Sequence, residues 1–290
     1  MKLSRIICVT TFAVLVSSLA AVADPEIPKP EIVKPESVNE QAWTLRWADE
    51  FNGPAGSPPD SRSWNIETGG HGFGAHELQT YQDRPENLAL DGQGNLVITV
   101  RLEDYGGFTS ARIHTREKIE FTYGAMEIRA KLPAGAGLGP AIWTGGFGNE
   151  TPWPLCGERD IVEVFGADAS RAVSSLVGAS KENEDVMVGQ SESYVFPQGQ
   201  DVTGWHVYRY EYAFSLDDRP EEMRFYVDGQ LYRRARADWF PGQWVFNKYK
   251  HFLLLNVAVG GDRPWGSPTG ETQLPQQMVV DYVRLYDVAR

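Results

Sequence analysis

From His206 to Phe214 every second residue carries a ring: His206, Tyr208, Tyr210, Tyr212 and Phe214 alternate with Val207, Arg209 and Glu211. Side chains two apart on an extended chain share a face, so this segment reads as a β-strand with one buried and one wetted side. Similar strand-like runs are predicted at 95–101, 109–115, 124–132, 141–145, 159–165, 173–178, 223–232, 251–259 and 278–287. Asp228-Gly229, inside the 223–232 run, is a tight hairpin signal. Beyond the first 23 residues no segment sustains a 3.6-residue apolar period. Many short strands punctuated by Gly and Pro, without helices, imply an all-β sandwich or barrel. The polar, acidic stretch 181–200 has no period and is expected to be a loop.

The ends of the chain read differently. Lys2 and Arg5 precede an apolar stretch at 6–19 and the small residues Ala21-Val22-Ala23. That order predicts a secretory signal peptide over residues 1–23, cut after Ala23. Residues 24–41 alternate proline with charge and contain no aromatic side chain, predicting a semi-extended linker. Residues 42–290 are then the one folded domain, extracellular or periplasmic, with no membrane span and expected to be a monomer. The formal net charge of −12 becomes −14 once Lys2 and Arg5 leave, 25 basic side chains facing 39 acidic ones. Such a surface opposes nucleic acid and anionic membranes and suits a neutral partner. Cys8 departs with the leader, so Cys156 is alone and no internal disulfide is expected. It reads as a small packed residue rather than a catalytic thiol.

One strand carries chemistry. In Gly157-Glu158-Arg159-Asp160-Ile161-Val162-Glu163-Val164 the acids stand at i, i+2 and i+5. Regular alternation puts Glu158 and Asp160 on one face and Glu163 on the other. A single β-bulge between Asp160 and Glu163 returns all three to one face. Residues two apart lie roughly 7 Å apart on a strand, so two glutamates leaning inward reach the carboxyl separation of about 5–5.5 Å used by retaining glycosidases. Glu158 is assigned as nucleophile, Glu163 as general acid and then base, and Asp160 as the group that restrains Glu158. Three acids so close should titrate as a unit, with at least one pKa raised. A solvated strand edge would show the same spacing without the chemistry.

The segment from Trp153 to Glu163 resembles the active-site strand of glycoside hydrolase family 16, in the version with an extra bulge residue found in its laminarinases (endo-β-1,3-glucanases). Further segments resemble the family in the family's order. They include Asp49-Glu50-Phe51-Asn52-Gly53, Arg84-Pro85-Glu86-Asn87, Pro140-Ala141-Ile142-Trp143 and Asn256-Val257-Ala258-Val259-Gly260-Gly261, and together they span about residues 43–287. The resemblance implies a β-jelly roll of two antiparallel sheets with a concave substrate cleft. It implies a retaining endo-β-glucanase that cleaves internal β-1,3 bonds of a neutral glucan such as laminarin, with no cofactor required. The same mechanism on mixed-linkage glucan or a galactan, or transfer to another sugar, is the alternative. A glucan-binding protein that does not cut is a third reading, disfavoured because both glutamates are present.

Sugar rings stack on aromatic faces, and Trp143 and Trp153 are expected to line subsites, with Trp47 and Trp64 in the core. Asn52, Glu77, Arg84, Asn87 and Arg112 match family positions in or near the cleft. Glu50 and Asp281, with a backbone carbonyl near Gly94, match positions where family members hold a structural calcium, a cation that favours oxygen ligands. His206 reads as a structural histidine, and His71 and His76 as lacking metal-ligand geometry. Three departures bear on substrate preference. Arg159 replaces an apolar residue and should point between the sheets, Val173 and Val177 stand where laminarinases commonly carry histidines, and Gly139 replaces a frequent tryptophan.

Overall fold

A computed structural model describes residues 43–146, 151–213 and 219–288. The expected signal peptide, the linker and Phe214 lie outside the described residues. The described chain forms two sheets of ten and eight strands, and its one helical turn is the 3-10 segment Gly72–Gly74. No helix among these residues is long and apolar enough to cross a membrane.

The ring-bearing strand His206–Ala213 lies within the ten-stranded sheet, between Gly124–Lys131 and Glu222–Val227. Its alternation does what the sequence requires: Tyr208, Tyr210 and Tyr212 are buried at 1 %, 0 % and 0 % exposure, while Val207, Arg209 and Glu211 are half-exposed. Facing these rings from the eight-stranded sheet are Ile142, Val162, Leu176, Leu253 and Leu255, all part of one continuous core. Each such aliphatic side chain, fully withdrawn from water, contributes about 1.5–3 kcal/mol. Trp64 is buried in the same core, with Trp47 packed edge-on at 6.0 Å. The predicted hairpin joins Glu222–Val227 to Gln230–Arg236 through Asp228 and Gly229, whose φ values of 50° and 78° are those of a primed turn.

Two expectations about strands are corrected. The run at 109–115 is not one strand. Phe108–Ser110 pairs in the ten-stranded sheet and Arg112–His114 in the eight-stranded one, with Ala111 buried at the crossing. The expected loop at 181–200 contains a nine-residue strand, Met187–Val195, paired along its whole length with Arg171–Ala179. It is an edge strand with mostly exposed residues, so no apolar alternation was imprinted on it.

The eight-stranded sheet runs Met187–Val195, Arg171–Ala179, Glu158–Glu163, Leu138–Gly145, His251–Val259, Arg112–His114, Asn65–Glu67. The acid-bearing strand is therefore internal, flanked on both sides by long partners.

Candidate active site

Pairing along Glu158–Glu163 shows how three acids reach one face. Against Arg171–Ala179, Glu158 stands opposite Val177 and Asp160 opposite Ser175, but Glu163 stands opposite Val173. Three steps on one strand thus match two on its neighbour. On the other side Val162 pairs with Ile142 and Asp160 with Trp143, which leaves Ile161 as the extra residue. The opposite face is the core: Arg159 and Val162 have 0 % exposure.

Glu158 and Glu163 are half-buried and Asp160 is buried. Trp153 Nε1 donates to Glu158 Oε2 at 3.0 Å, and Ser175 Oγ donates to Glu163 Oε2 at 3.1 Å. All three carboxyls are pushed upward, first by burial. Repulsion from Glu158 adds to the rise at Glu163, which reaches about 7, and repulsion from both glutamates holds Asp160 well above the usual range. Glu158 is raised less simply, because Arg263, the Trp153 N–H and Arg112 all favour its ionised form. The row therefore has a built-in asymmetry: a proton is held most readily toward Asp160 and Glu163, a negative charge toward Glu158.

Around the row the structure gathers several of the expected side chains. Trp143, opposite Asp160, donates from Nε1 to Asn256 Oδ1 at 2.8 Å. Asn256 Nδ2 in turn donates to the Tyr81 hydroxyl at 3.2 Å. The Arg112 guanidinium lies 5.0 Å from the Trp143 ring centre and donates to Glu67 at 2.6 Å. Glu77 accepts from Gln79 at 2.7 Å and, though Arg112 and Arg263 oppose it, is raised by burial. Trp153 is 43 % exposed, its indole edge tied to Glu158 and the rest of the ring open to solvent.

Other expected site residues lie elsewhere. Arg84 and Asn87 bind each other and converge on Thr109, with Glu103 completing the network. Asn87 has 0 % exposure and gives its amide to Thr99 O and Thr109 Oγ1, so it braces the chain and does not touch a substrate. Asn52 is exposed beside Gly94, in the turn between Leu88–Leu90 and Leu96–Leu102 of the ten-stranded sheet. The calcium expectation meets an obstacle. The Glu50 carbonyl does lie close to Gly94, but the Glu50 carboxylate is gripped at 2.7 and 2.9 Å by Arg284, and Asp281 is paired with Arg129. Among the described residues no group of three or more His, Cys, Asp or Glu side chains could hold a metal. These donors, already neutralised by guanidinium groups, do not fit a calcium ion. His206 is buried between Asp228 and the Asp201 carbonyl, and His76 meets Asp262 at the surface. Cys156 is fully buried, and burial pushes its thiol up to about 11, which makes it a poor nucleophile.

Three groups escaped the sequence reading. Arg263, exposed after the Gly260-Gly261 turn, acts on Glu77, Glu158, Asp160 and Glu163. Arg233 reaches from the ten-stranded sheet beneath Asp160, satisfied by Ser174 O at 2.7 Å and Gln190 O at 2.6 Å. Ser175 orients Glu163. None had a local signal: Arg233 sits in the charge run Arg233-Arg234-Ala235-Arg236, which reads as surface.

The departures have physical explanations. Arg159 enters the core with no carboxylate partner among the described residues, donating to the Thr122 and Phe246 carbonyls and lying 5.1 Å from the Tyr212 ring centre. Gly139 shares the face of Ala141 and Trp143, and a Cβ there would stand 2.5 Å from the ring of Trp265. A tryptophan from a different segment fills the space that the missing one would have taken. Val173 and Val177, opposite Glu163 and Glu158, face Ser193 and Gly189 across the next strand.

The family model for glycosyl hydrolases family 16 matches residues 75–283. The chain is 40 % identical over 261 residues to a Rhodothermus marinus protein named beta-glucanase, covering 84 % of this chain and 85 % of that one. It is 35 % identical over 243 residues to a glucan endo-1,3-beta-glucosidase of Cryptopygus antarcticus, covering 78 % and 84 %. The solved laminarinase catalytic domain of Thermotoga maritima superposes with a TM-score of 0.73 at 39 % identity, covering 86 % of this chain and 99 % of that domain.

Proposed function

The chain is a glycoside hydrolase belonging to family 16, and from that premise we propose that it is a secreted, retaining endo-β-1,3-glucanase acting on laminarin-type glucans. Glu158 attacks the anomeric carbon while Glu163 gives its proton to the departing glycosidic oxygen. Water then enters, loses a proton to the Glu163 carboxylate, and releases the sugar from Glu158. Asp160 sits between them and holds Glu158 in place. The observation that supports this reading best is the asymmetry of the row: Glu163 raised to about 7, and Glu158 surrounded by groups that favour its charge. A general acid needs a pKa near the working pH, and a nucleophile must be ionised. The similarity to named β-1,3-glucanases supports the linkage.

A second reading keeps the mechanism and changes the glycan. It draws on Val173 and Val177, which stand opposite Glu163 and Glu158 in place of the histidines common there in laminarinases. One experiment addresses both. Purified protein is incubated with laminarin, lichenin, agarose and xyloglucan, products are profiled, and the anomer formed first is followed by NMR. Internal cleavage of laminarin with retention, abolished in Glu158→Gln, is expected. Preferential cleavage of another glycan would transfer the mechanism to that substrate, inversion would overturn double displacement, and tight binding without product would overturn the enzyme. Export of the full chain with loss of residues 1–23, read by mass spectrometry of the culture medium, is the expected outcome for secretion.

A further inference from the structure

The loop at 71–77 and the turn that follows His251–Val259 are clasped together. His76 Nδ1 donates to Asp262 Oδ2, and the Asp262 N–H donates to the Ala75 carbonyl at 2.7 Å. His76 holds the left-handed backbone, with φ 53°, a region that few residues with a side chain adopt. Such a backbone persists only where its surroundings over-determine it. Both side chains are largely exposed, so as an ion pair they add little to stability. Nδ1 can donate whether the ring is neutral or charged, so the bond is not itself a pH switch.

The loop side of the clasp is anchored to the cleft wall. Phe73 packs 4.7 Å from the Tyr81 ring, and the Arg112 guanidinium lies 5.1 Å from the Phe73 ring centre. Arg112 is in register with Asn256, Asn256 with Ala141, and Ala141 with Glu163, one lateral row across the sheet. Just beyond the loop, Leu78 N–H donates to the Val259 carbonyl at 2.8 Å, and Gln79 Oε1 accepts from the Val259 N–H at 2.7 Å.

The turn side carries Arg263, the residue after Asp262. Its far end is held by the Trp265 carbonyl, which accepts from the Gly137 N–H at 2.9 Å. A Cβ at Gly166, three residues beyond Glu163, would stand 2.7 Å from that carbonyl oxygen. The turn therefore lies at the Glu163 end of the acid strand. No ion-pair partner holds the Arg263 guanidinium among the described residues, so its position rests on the turn.

We propose that His76 and Asp262 are positioning residues for the reaction, their clasp tying the turn to the cleft wall and so holding Arg263 beside the acid row. The inference rests on the retaining mechanism above and adds the group that sets its working pH range. The charge of Arg263 favours the ionised forms of Glu77, Glu158, Asp160 and Glu163. Held in place, it keeps Glu158 charged as the medium turns acidic. It also lets Glu163 lose its proton sooner as the medium turns alkaline.

The test is the pH profile of kcat/KM on whichever β-glycan of the panel the wild type cleaves. Arg263→Gln, His76→Ala, His76→Asn and the double variant His76→Ala/Arg263→Gln are compared with it. Removing the cation raises both glutamates, so both limbs should move to higher pH. Arg263→Gln should be roughly threefold slower than wild type at the acidic end and no slower at the alkaline end. His76→Ala should show the same tilt, and adding it to Arg263→Gln should change nothing further. The amide of His76→Asn takes the place of Nδ1 and accepts the left-handed backbone, so the wild-type profile should return. An Arg263→Gln profile that is unmoved, or scaled equally at every pH, overturns the role of Arg263. A His76→Ala effect that is absent, uniform in pH or undiminished in the double variant overturns the clasp. A wild type that inverts the anomer or cleaves nothing in the panel overturns the retaining glucanase reading instead.

Discussion

Glu163 is where sequence position and chemical behaviour separate most clearly. As a letter in the chain it is one more acid, yet burial and the neighbouring Glu158 hold its proton to about pH 7 while Ser175 pulls the other way. In the proposed mechanism the proton must be present for the leaving oxygen to depart from an unactivated sugar. The kcat/KM on polysaccharide should therefore fall as pH rises through about 7, whereas an aryl glycoside with a good leaving group should lose less over the same range. Ser175→Ala removes a hydrogen bond that favours the ionised form, so it should move that alkaline limb to higher pH. Paired pH profiles of wild type and variant check the sign, and a limb that moves down would contradict the role given to Ser175. The acids themselves were legible as a row because one bulge in an i, i+2, i+5 spacing returns all three to one face, and the resemblance to the family strand then separated them from a solvated strand edge. Ser175, Arg233 and Arg263 were not, since each acts across a strand, a sheet or a loop and leaves no spacing to read.

Among the strands, alternation predicted those with one side in the core and failed at the margins. His206–Ala213 was visible because Tyr208, Tyr210 and Tyr212 fill the interior, and Met187–Val195 was missed because an edge strand bathed in solvent needs no such pattern. The strand pair around Gly139 shows a different limit. Its missing side chain is replaced by Trp265, packed from a turn far along the chain, with the indole N–H fixed to the Gly260 carbonyl at 2.7 Å. Gly139→Ala should accordingly cost about 1–3 kcal/mol by overpacking. In a Trp265→Ala background the added methyl should cost much less, a coupling between neighbours that a double-mutant cycle measures. Urea unfolding of the four proteins supplies the cycle, and strict additivity would mean that Trp265 does not set the space above Gly139.

The sandwich as a whole pays for its acid row in stability, and the sign can be worked out from Glu163. Its pKa in the folded protein, about 7, lies above the ordinary 4.5, so the folded state holds the proton more tightly than the unfolded chain. The contribution of this group to stability is full below pH 4.5 and is lost as pH rises through 7. Glu163→Gln, which cannot ionise, should therefore melt higher than wild type above pH 7 and show no such advantage below pH 4.5. Thermal melts across that range decide it; an offset equal at every pH would point to packing and not to the charge. Beneath the row the two sheets also bury Arg159 and Arg233, both answered by backbone carbonyls. A guanidinium in such a place depends on carbonyls from segments distant in sequence being fixed around it.

Residue order determined the all-β class, the approximate limits of the core strands and the placing of three acids on one strand face, because periodicity and spacing are local properties that a chain carries before it folds. Folding settled that burial raises all three acids, which arginines lie beneath or beside the row, that Asn87 is a brace, that Glu50 and Asp281 face guanidinium groups, and that Trp265 stands in for the side chain absent at Gly139. Those outcomes depend on burial and on distances between segments far apart in the chain, and both exist only once the two sheets have closed on each other.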